Sequence, residues 1–355
     1  MGKNSFFGRN WRVIVTAVTI LALVVLLVAI RGQIIDTFNN LRRVHAWMLL
    51  LLIPLTLVGY HAQAKIYQDL FGLLGNKLKY GFLFRVALEL NFVNMVFPSG
   101  GVSGISYFGV RMRGQDISGT RASLVQMIRL LIVFGSFEIL LVIGLLMMAI
   151  GGQANDLVIL VAGSISTLLV VGTFAFLMIL RSETRIHATF TFITNTVNKV
   201  VHFFRSKHPE TISTARAEGI VRDLHENYKT IESNYRQLRS TFLWALLLNV
   251  TAVLSIYVVY IAFDAWINLG AIILAYSVAN FAGLISVLPG GIGIYEALMT
   301  GVLAAAGVPA ALSLPVTVMY RVISTVIQAI PGYVLYHRTV NRNHVQEAAL
   351  RRHHE

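Results

Sequence analysis

The sequence predicts an all-α polytopic membrane protein of about six to eight spans, built from two inverted repeats that each hold a helix pair broken at a Pro-Gly-Gly turn. Three observations lead there. The 355 residues are 56% hydrophobic and 13% charged, against roughly 25% charged in a soluble domain. Apolar runs of about 18 residues or more, each long enough to cross the hydrocarbon, recur along the chain. Two runs end in proline and paired glycines, at Pro98-Ser99-Gly100-Gly101 and at Pro289-Gly290-Gly291. Helices are the expected element, because in a bilayer every backbone group is satisfied within the chain.

The runs cover 11–30, 45–62, 81–97, 120–150, 155–180, 240–263, 270–288, 292–308 and 311–337, with a shorter one at 102–110. The first is too long for a signal-peptide core and has no small-residue cleavage site before Arg31, so it reads as a retained span. Residues 81–97 and 270–288 meet their Pro-Gly-Gly stretches where a helix cannot continue cheaply. The broken pairs are either re-entrant or fully spanning. The chain divides into a first transmembrane repeat at 1–180, a cytoplasmic insertion at 181–239, a second repeat at 240–337 and a basic cytoplasmic tail at 338–355. Within the insertion, 185–206 mixes apolar and polar residues and 212–238 reads as a charged helix. It fits a basic amphipathic helix on anionic inner-leaflet lipids, and it fits a plain connector.

Lysine and arginine set the orientation. With a cytoplasmic N-terminus, 23 basic residues fall on the cytoplasmic side and three, Arg31, Arg42 and Arg43, on the other. The positive-inside rule therefore predicts that both termini are cytoplasmic. The expected location is a bacterial cytoplasmic (inner) membrane. The net charge of +13 then belongs to topology and headgroups rather than to nucleic acid. There is no cysteine, which excludes disulfides and thiolate chemistry. No His-Glu-x-x-His, P-loop or nucleophile-elbow pattern is present. Ser103, in Gly100-Gly101-Val102-Ser103-Gly104, has no histidine at matching depth in a following span. No enzyme activity, metal or cofactor is expected.

The broken regions resemble one another. Asn91-Phe92, Pro98, Gly100-Gly101 and Met127-Ile128-Arg129 recur as Asn280-Phe281, Pro289, Gly290-Gly291 and Met319-Tyr320-Arg321, with 31 residues from Pro98 to Arg129 and 32 from Pro289 to Arg321. Broken helices near the midplane expose backbone N–H groups and a positive dipole end, which suits an anion. The glycines also fit simple close packing. Arg129 and Arg321 lie about nine or ten residues into their spans, roughly 14 Å deep. An arginine there costs about 2.5–3.5 kcal/mol on insertion scales. They are expected to hold an anionic headgroup, or else to tie the broken turns by bonding free carbonyls or a carboxylate. Glu296 is expected to pair with Arg321, a proton-carrying role being the alternative. Asn91, Asn280 and Tyr320 complete the candidate substrate-binding set, the asparagines also suiting interhelical bonds. Arg85 and Glu89, four apart, are expected to neutralise each other.

Leu288-Pro289-Gly290-Gly291-Ile292-Gly293-Ile294-Tyr295-Glu296, with Tyr320-Arg321 and Pro331 following, resembles the flippase-like transmembrane domain of the lysylphosphatidylglycerol synthase family. Pro98, Gly100, Gly101, Gly114 and Arg129 fit its first half. Nearly the whole chain is covered. In two-domain members this unit translocates aminoacylated phosphatidylglycerol made by a following synthase domain. With about 18 residues after the last run, the resemblance implies a stand-alone lipid transporter without aminoacylation activity. The expected cargo is an anionic phospholipid or lipid-linked molecule. The expected partners are membrane lipid and either a second copy or a lipid-synthesising enzyme. Two rival readings are a scaffold that presents lipid to such an enzyme, and a small-anion carrier.

Overall fold

The computed structural model describes residues 31–41, 44–97, 102–204, 214–285, 291 and 293–352, together with Val24 and Val28. The predicted first span at 11–30 and the turn residues Pro98, Gly100, Gly101, Pro289 and Gly290 lie outside them. Among the described residues the chain is nearly all helical, without strands. Among the described residues five helices are long and apolar enough to cross a membrane. The protein is an all-α polytopic membrane protein.

The helices are α1 (Arg31–Leu41), α2 (Leu52–Leu73), α3 (Tyr80–Val96), α4 (Val102–Arg113), α5 (Gly119–Ile150), α6 (Asp156–Leu180), α7 (Glu183–Phe204), α8 (Thr214–Ser233), α9 (Leu238–Ala262), α10 (Leu269–Ile285), α11 (Ile294–Ala305) and α12 (Ala310–Arg352). The run read as 45–62 is longer in the structure. A 3-10 turn over Ala46–Leu51 leads into α2, which continues through Lys65 and Asp69 to Leu73. Ser118 caps α5 by accepting from the Arg121 N–H, and Asn155 caps α6 by accepting from Val158. Both satisfy donors that a helix start leaves open.

Two sets of four helical units match in length. Ala46–Leu73 and Tyr235–Ala262 each have 28 residues, and Gly119–Ile150 and Ala310–Asn341 each have 32. Between them, α3 and α10 each have 17 residues, and α4 and α11 each have 12. The starts are offset almost uniformly, since 235 − 46 and 269 − 80 both give 189, 294 − 102 gives 192 and 310 − 119 gives 191. Twelve residues rise about 18 Å, too little for roughly 30 Å of hydrocarbon.

Packing follows the same exchange. Helices α2 and α9 pack on each other at the centre, α3 lies on α12, α10 lies on α5, and each short helix lies on its partner. The two outer crossings are tight. A Cβ at Gly270 would stand against the Gly144 carbonyl oxygen, and one at Gly332 would come within 2.6 Å of the Phe92 Cβ. Small residues are what permit such approaches in membrane bundles.

Polar contacts sort the loops into two ends. At the basic end Arg121 donates to Asn76 and Asn227, Ser118 donates to Asp223, and Thr241 donates to Asp69. The start of α3 and the end of α4 lie here, with the Arg113 side chain beside Gly119. At the opposite end His45 pairs with Asp264, Asn268 donates to the Met147 carbonyl and Asn155 to the Ala305 carbonyl. The start of α10 and the end of α11 lie there. Helices α7 and α8 both form in the 181–239 segment, and α8 docks on α5 at the basic end. Burial pushes the Tyr228 phenol above its ordinary value, partly offset by a hydrogen bond from Arg181.

Candidate functional site: paired cavities at mid-span

Helix α2 turns Thr56, Tyr60 and Gln63 inward, and α9 turns Thr251 and Ser255. Asn91 of α3, Tyr276 of α10, and Tyr320, Ser324 and Gln328 of α12 close a cavity of about 200 Å³. These positions fall in or beside the middle third of the spans Ala46–Leu73, Tyr235–Ala262 and Ala310–Asn341. The cavity therefore sits near the bilayer midplane. Among the described residues no Asp, Glu, Lys, Arg or His lines it.

A second cavity of about 170 Å³ adjoins it. Its walls are largely apolar, with Val133, Phe134 and Phe137 of α5 facing Tyr276 and Ser277 of α10. Tyr276 lines both cavities. Asn280 lines the second and is itself exposed.

The predicted site residues separate into groups. Asn91 and Tyr320 line the polar cavity. Asn91 donates to Gln63 Oε1 at 3.5 Å, a long bond between α3 and α2. Asn280 lies at the apolar cavity and donates to the Tyr276 carbonyl of its own helix, so the expected interhelical bond is replaced by an i to i−4 one.

Arg321 and Glu296 stand outside the cavity lining. Arg321 Nη1 donates to Glu296 Oε1 at 2.7 Å and the guanidinium lies 4.7 Å from the Tyr295 ring centre. Glu296 is 4% exposed, and its Oε2 accepts from the Gly293 N–H at 2.7 Å. That bond serves an open donor at the start of α11. Gly291 and Gly293, with φ of +68° and +85°, take the left-handed backbone that lets the chain turn into α11. The pair thus joins the start of the second short helix to α12.

Arg129 lies over the Tyr67 ring at 5.4 Å, and its buried Nε finds no acceptor among the described residues. It too is off the cavity lining.

The expected Arg85–Glu89 pair is corrected. Arg85 is exposed, whereas Glu89 is 1% exposed and pairs with Arg111 at 2.7 Å. It also accepts from Tyr107 and Thr339, each at 2.8 Å. Arg85 sits on the outward face of α3 while Glu89 faces α4 and α12, and a tertiary contact outcompetes the local one. Sequence reasoning missed Tyr60, Gln63, Tyr276 and Gln328. The available signal was polar amides and phenols at mid-depth in apolar helices.

Residues 13–332 match the family described as the lysylphosphatidylglycerol synthase TM region. The chain is 31% identical to a UPF0104 membrane protein of Pyrococcus horikoshii over 117 residues, 33% of this chain and 35% of that protein. It is 34% identical to a UPF0104 membrane protein of Methanothermobacter thermautotrophicus over 97 residues, 27% of this chain and 29% of the other. The matched stretches span about a third of those relatives. Since the family match runs over most of its length, the chain belongs to the lysylphosphatidylglycerol synthase TM region family.

Proposed function

We propose that this protein moves a lipid, or a lipid-linked molecule, between the leaflets of a cytoplasmic membrane and catalyses no reaction. The observation that carries the proposal is the pair of adjoining mid-span cavities, one polar and one apolar, that share Tyr276. An amphiphile needs both at once. A small-anion carrier needs an enclosed polar pocket with fixed charge, and neither cavity offers one among the described residues.

The architecture is that of two inverted repeats with re-entrant hairpins. The matched 28, 17, 12 and 32-residue units support the repeat. The inversion is supported by the contacts that put both termini of the α3–α4 hairpin at the basic end and both termini of the α10–α11 hairpin at the opposite end. With the basic end cytoplasmic, lipid reaches the mid-span cavities from either leaflet. Arg129 draws the lipid phosphate toward mid-depth, supported by its buried Nε without an acceptor. Helices α7 and α8 lie at the inner surface beside anionic headgroups.

The test is leaflet exchange in proteoliposomes, with acyl-labelled fluorescent phospholipids and an impermeant quencher. Wild type is expected to exchange the label faster than protein-free liposomes, and Arg129→Ala to slow it. Wild-type rates equal to those of protein-free liposomes would overturn the reading.

A further inference from the structure

The polar cavity has more hydrogen-bonding capacity than its own walls use. Gln63 is 3% exposed, and its Nε2 is buried with no acceptor among the described residues. Among the described residues its Oε1 receives only the 3.5 Å bond from Asn91. Across the cavity the Tyr60 hydroxyl reaches Gln328 Oε1 at 3.4 Å. Good bonds between such groups are about 2.7–3.2 Å long, so these two are long; Tyr60 also bonds Asn91, and Gln63 Nε2 is the donor left unmet among the described residues. A buried amide N–H left unpaired costs about 1–3 kcal/mol, and in native proteins nearly all such groups are paired. Amides and phenols each offer donor and acceptor together. The partner that completes them also carries donor and acceptor on one atom, as water does and as a hydroxyl group of a cargo does. An ammonium carries donors only and so leaves the unpaired Gln63 N–H without an acceptor. A phosphate carries acceptors only and calls for a cation, and none lines the cavity among the described residues.

We infer that the polar cavity binds an uncharged, hydroxyl-rich group, a sugar or short polyol, through Gln63, Asn91, Tyr60 and Gln328. The volume of about 200 Å³ equals about six or seven water volumes, which is hexose-sized. Resting on the proposed lipid transport, this names the cargo's headgroup class. The source of the hydroxyls is either a lipid headgroup or a free polyol, and the experiment separates them.

The wild-type protein is reconstituted in phosphatidylcholine vesicles and given acyl-labelled glucosyl-diacylglycerol, phosphatidylglycerol, phosphatidylethanolamine or phosphatidylcholine in turn. The two polyol-headed lipids are expected to exchange about tenfold faster than the two amine-headed ones, with Gln63→Leu and Asn91→Leu erasing the preference. A parallel arm measures binding of free glucose and glycerol to the detergent-purified protein by calorimetry. Equal exchange of all four lipids, above protein-free vesicles, overturns the headgroup inference and leaves lipid transport standing. If no lipid exchanges, transport falls. Binding of free glucose by wild type and not by Gln63→Leu would then support the cavity's hydroxyl chemistry with a soluble source, and absence of that binding would overturn it. Thermal unfolding of the variants separates lost recognition from lost folding.

Discussion

Replacing Glu296 by glutamine should destabilise the protein by about 3–5 kcal/mol, the usual cost of removing one partner from a buried ion pair. The Glu296 and Arg321 side chains are 6% and 16% exposed. Little solvent is therefore at hand to replace the lost charge beside Arg321. Glutamine keeps an oxygen that can accept from the Gly293 N–H, so the α11 start survives. Glu296→Ala loses that bond as well, adding about 1 kcal/mol. Arg321→Met should cost a similar amount to Glu296→Gln. The double variant should lose at least about 2 kcal/mol less than the two single losses together, because the second change removes a charge that the first left without its counter-ion. The measurement is equilibrium unfolding in mixed micelles for the wild type, the two single variants and the double. Losses that add to within about 0.5 kcal/mol would refute the coupling, and with it the view that this pair holds the second hairpin to α12.

Three further outcomes follow from the same contacts. Glu89→Leu should destabilise by about 3–5 kcal/mol, since it strips Arg111, Tyr107 and Thr339 of one shared acceptor, and Arg85→Leu should cost under about 0.5 kcal/mol; unfolding midpoints compare them. Gly270→Val should lose about 1–3 kcal/mol or fail to accumulate folded protein, because its Cβ meets the Gly144 carbonyl, whereas Gly172→Ala, with open space around it, should not. The cysteine-free chain allows a single Asn280→Cys probe, which should react with a membrane-permeant maleimide and resist an impermeant one in sealed vesicles.

Much of the fold was legible because burial in lipid writes itself into composition. The edges of α5, α6 and α9 follow the apolar runs 120–150, 155–180 and 240–263 to within about two residues. Helix α2 extends past its run because Lys65 and Asp69 lie at the basic end, where Lys65 meets Gln68 and the Tyr80 ring and Asp69 accepts from Thr241. Sequence could pair Glu296 with Arg321, since their spacing follows a recognisable turn. It could not see that Glu89 belongs to Arg111, because that contact exists only once the α3–α4 hairpin closes. The cavity was half visible. Asn91 and Tyr320 were marked by the repeat, while Gln63 and Gln328 hid at the end of one apolar run and inside another. The two arginines drew attention as the costliest residues in the spans, yet the cavity they were expected to line is uncharged among the described residues. Cost of burial identifies residues that need a partner without saying whether that partner is cargo or protein.

The account stands or falls on one amphiphile placing its headgroup in the polar cavity and its chain in the apolar one. Photocrosslinking in native-like vesicles tests this, using a polyol-headed lipid with a diazirine on one acyl chain and mass spectrometry to map adducts. The prediction is adducts on the facing surfaces of α5 and α10, at Val133, Phe137 and Ser277, competed by unlabelled polyol-headed lipid and absent in Tyr276→Trp, which crowds the shared wall. Adducts confined to the outward residues of α6, such as Leu160 and Phe174, would contradict it, for the lipid would then only surround the protein and never enter it.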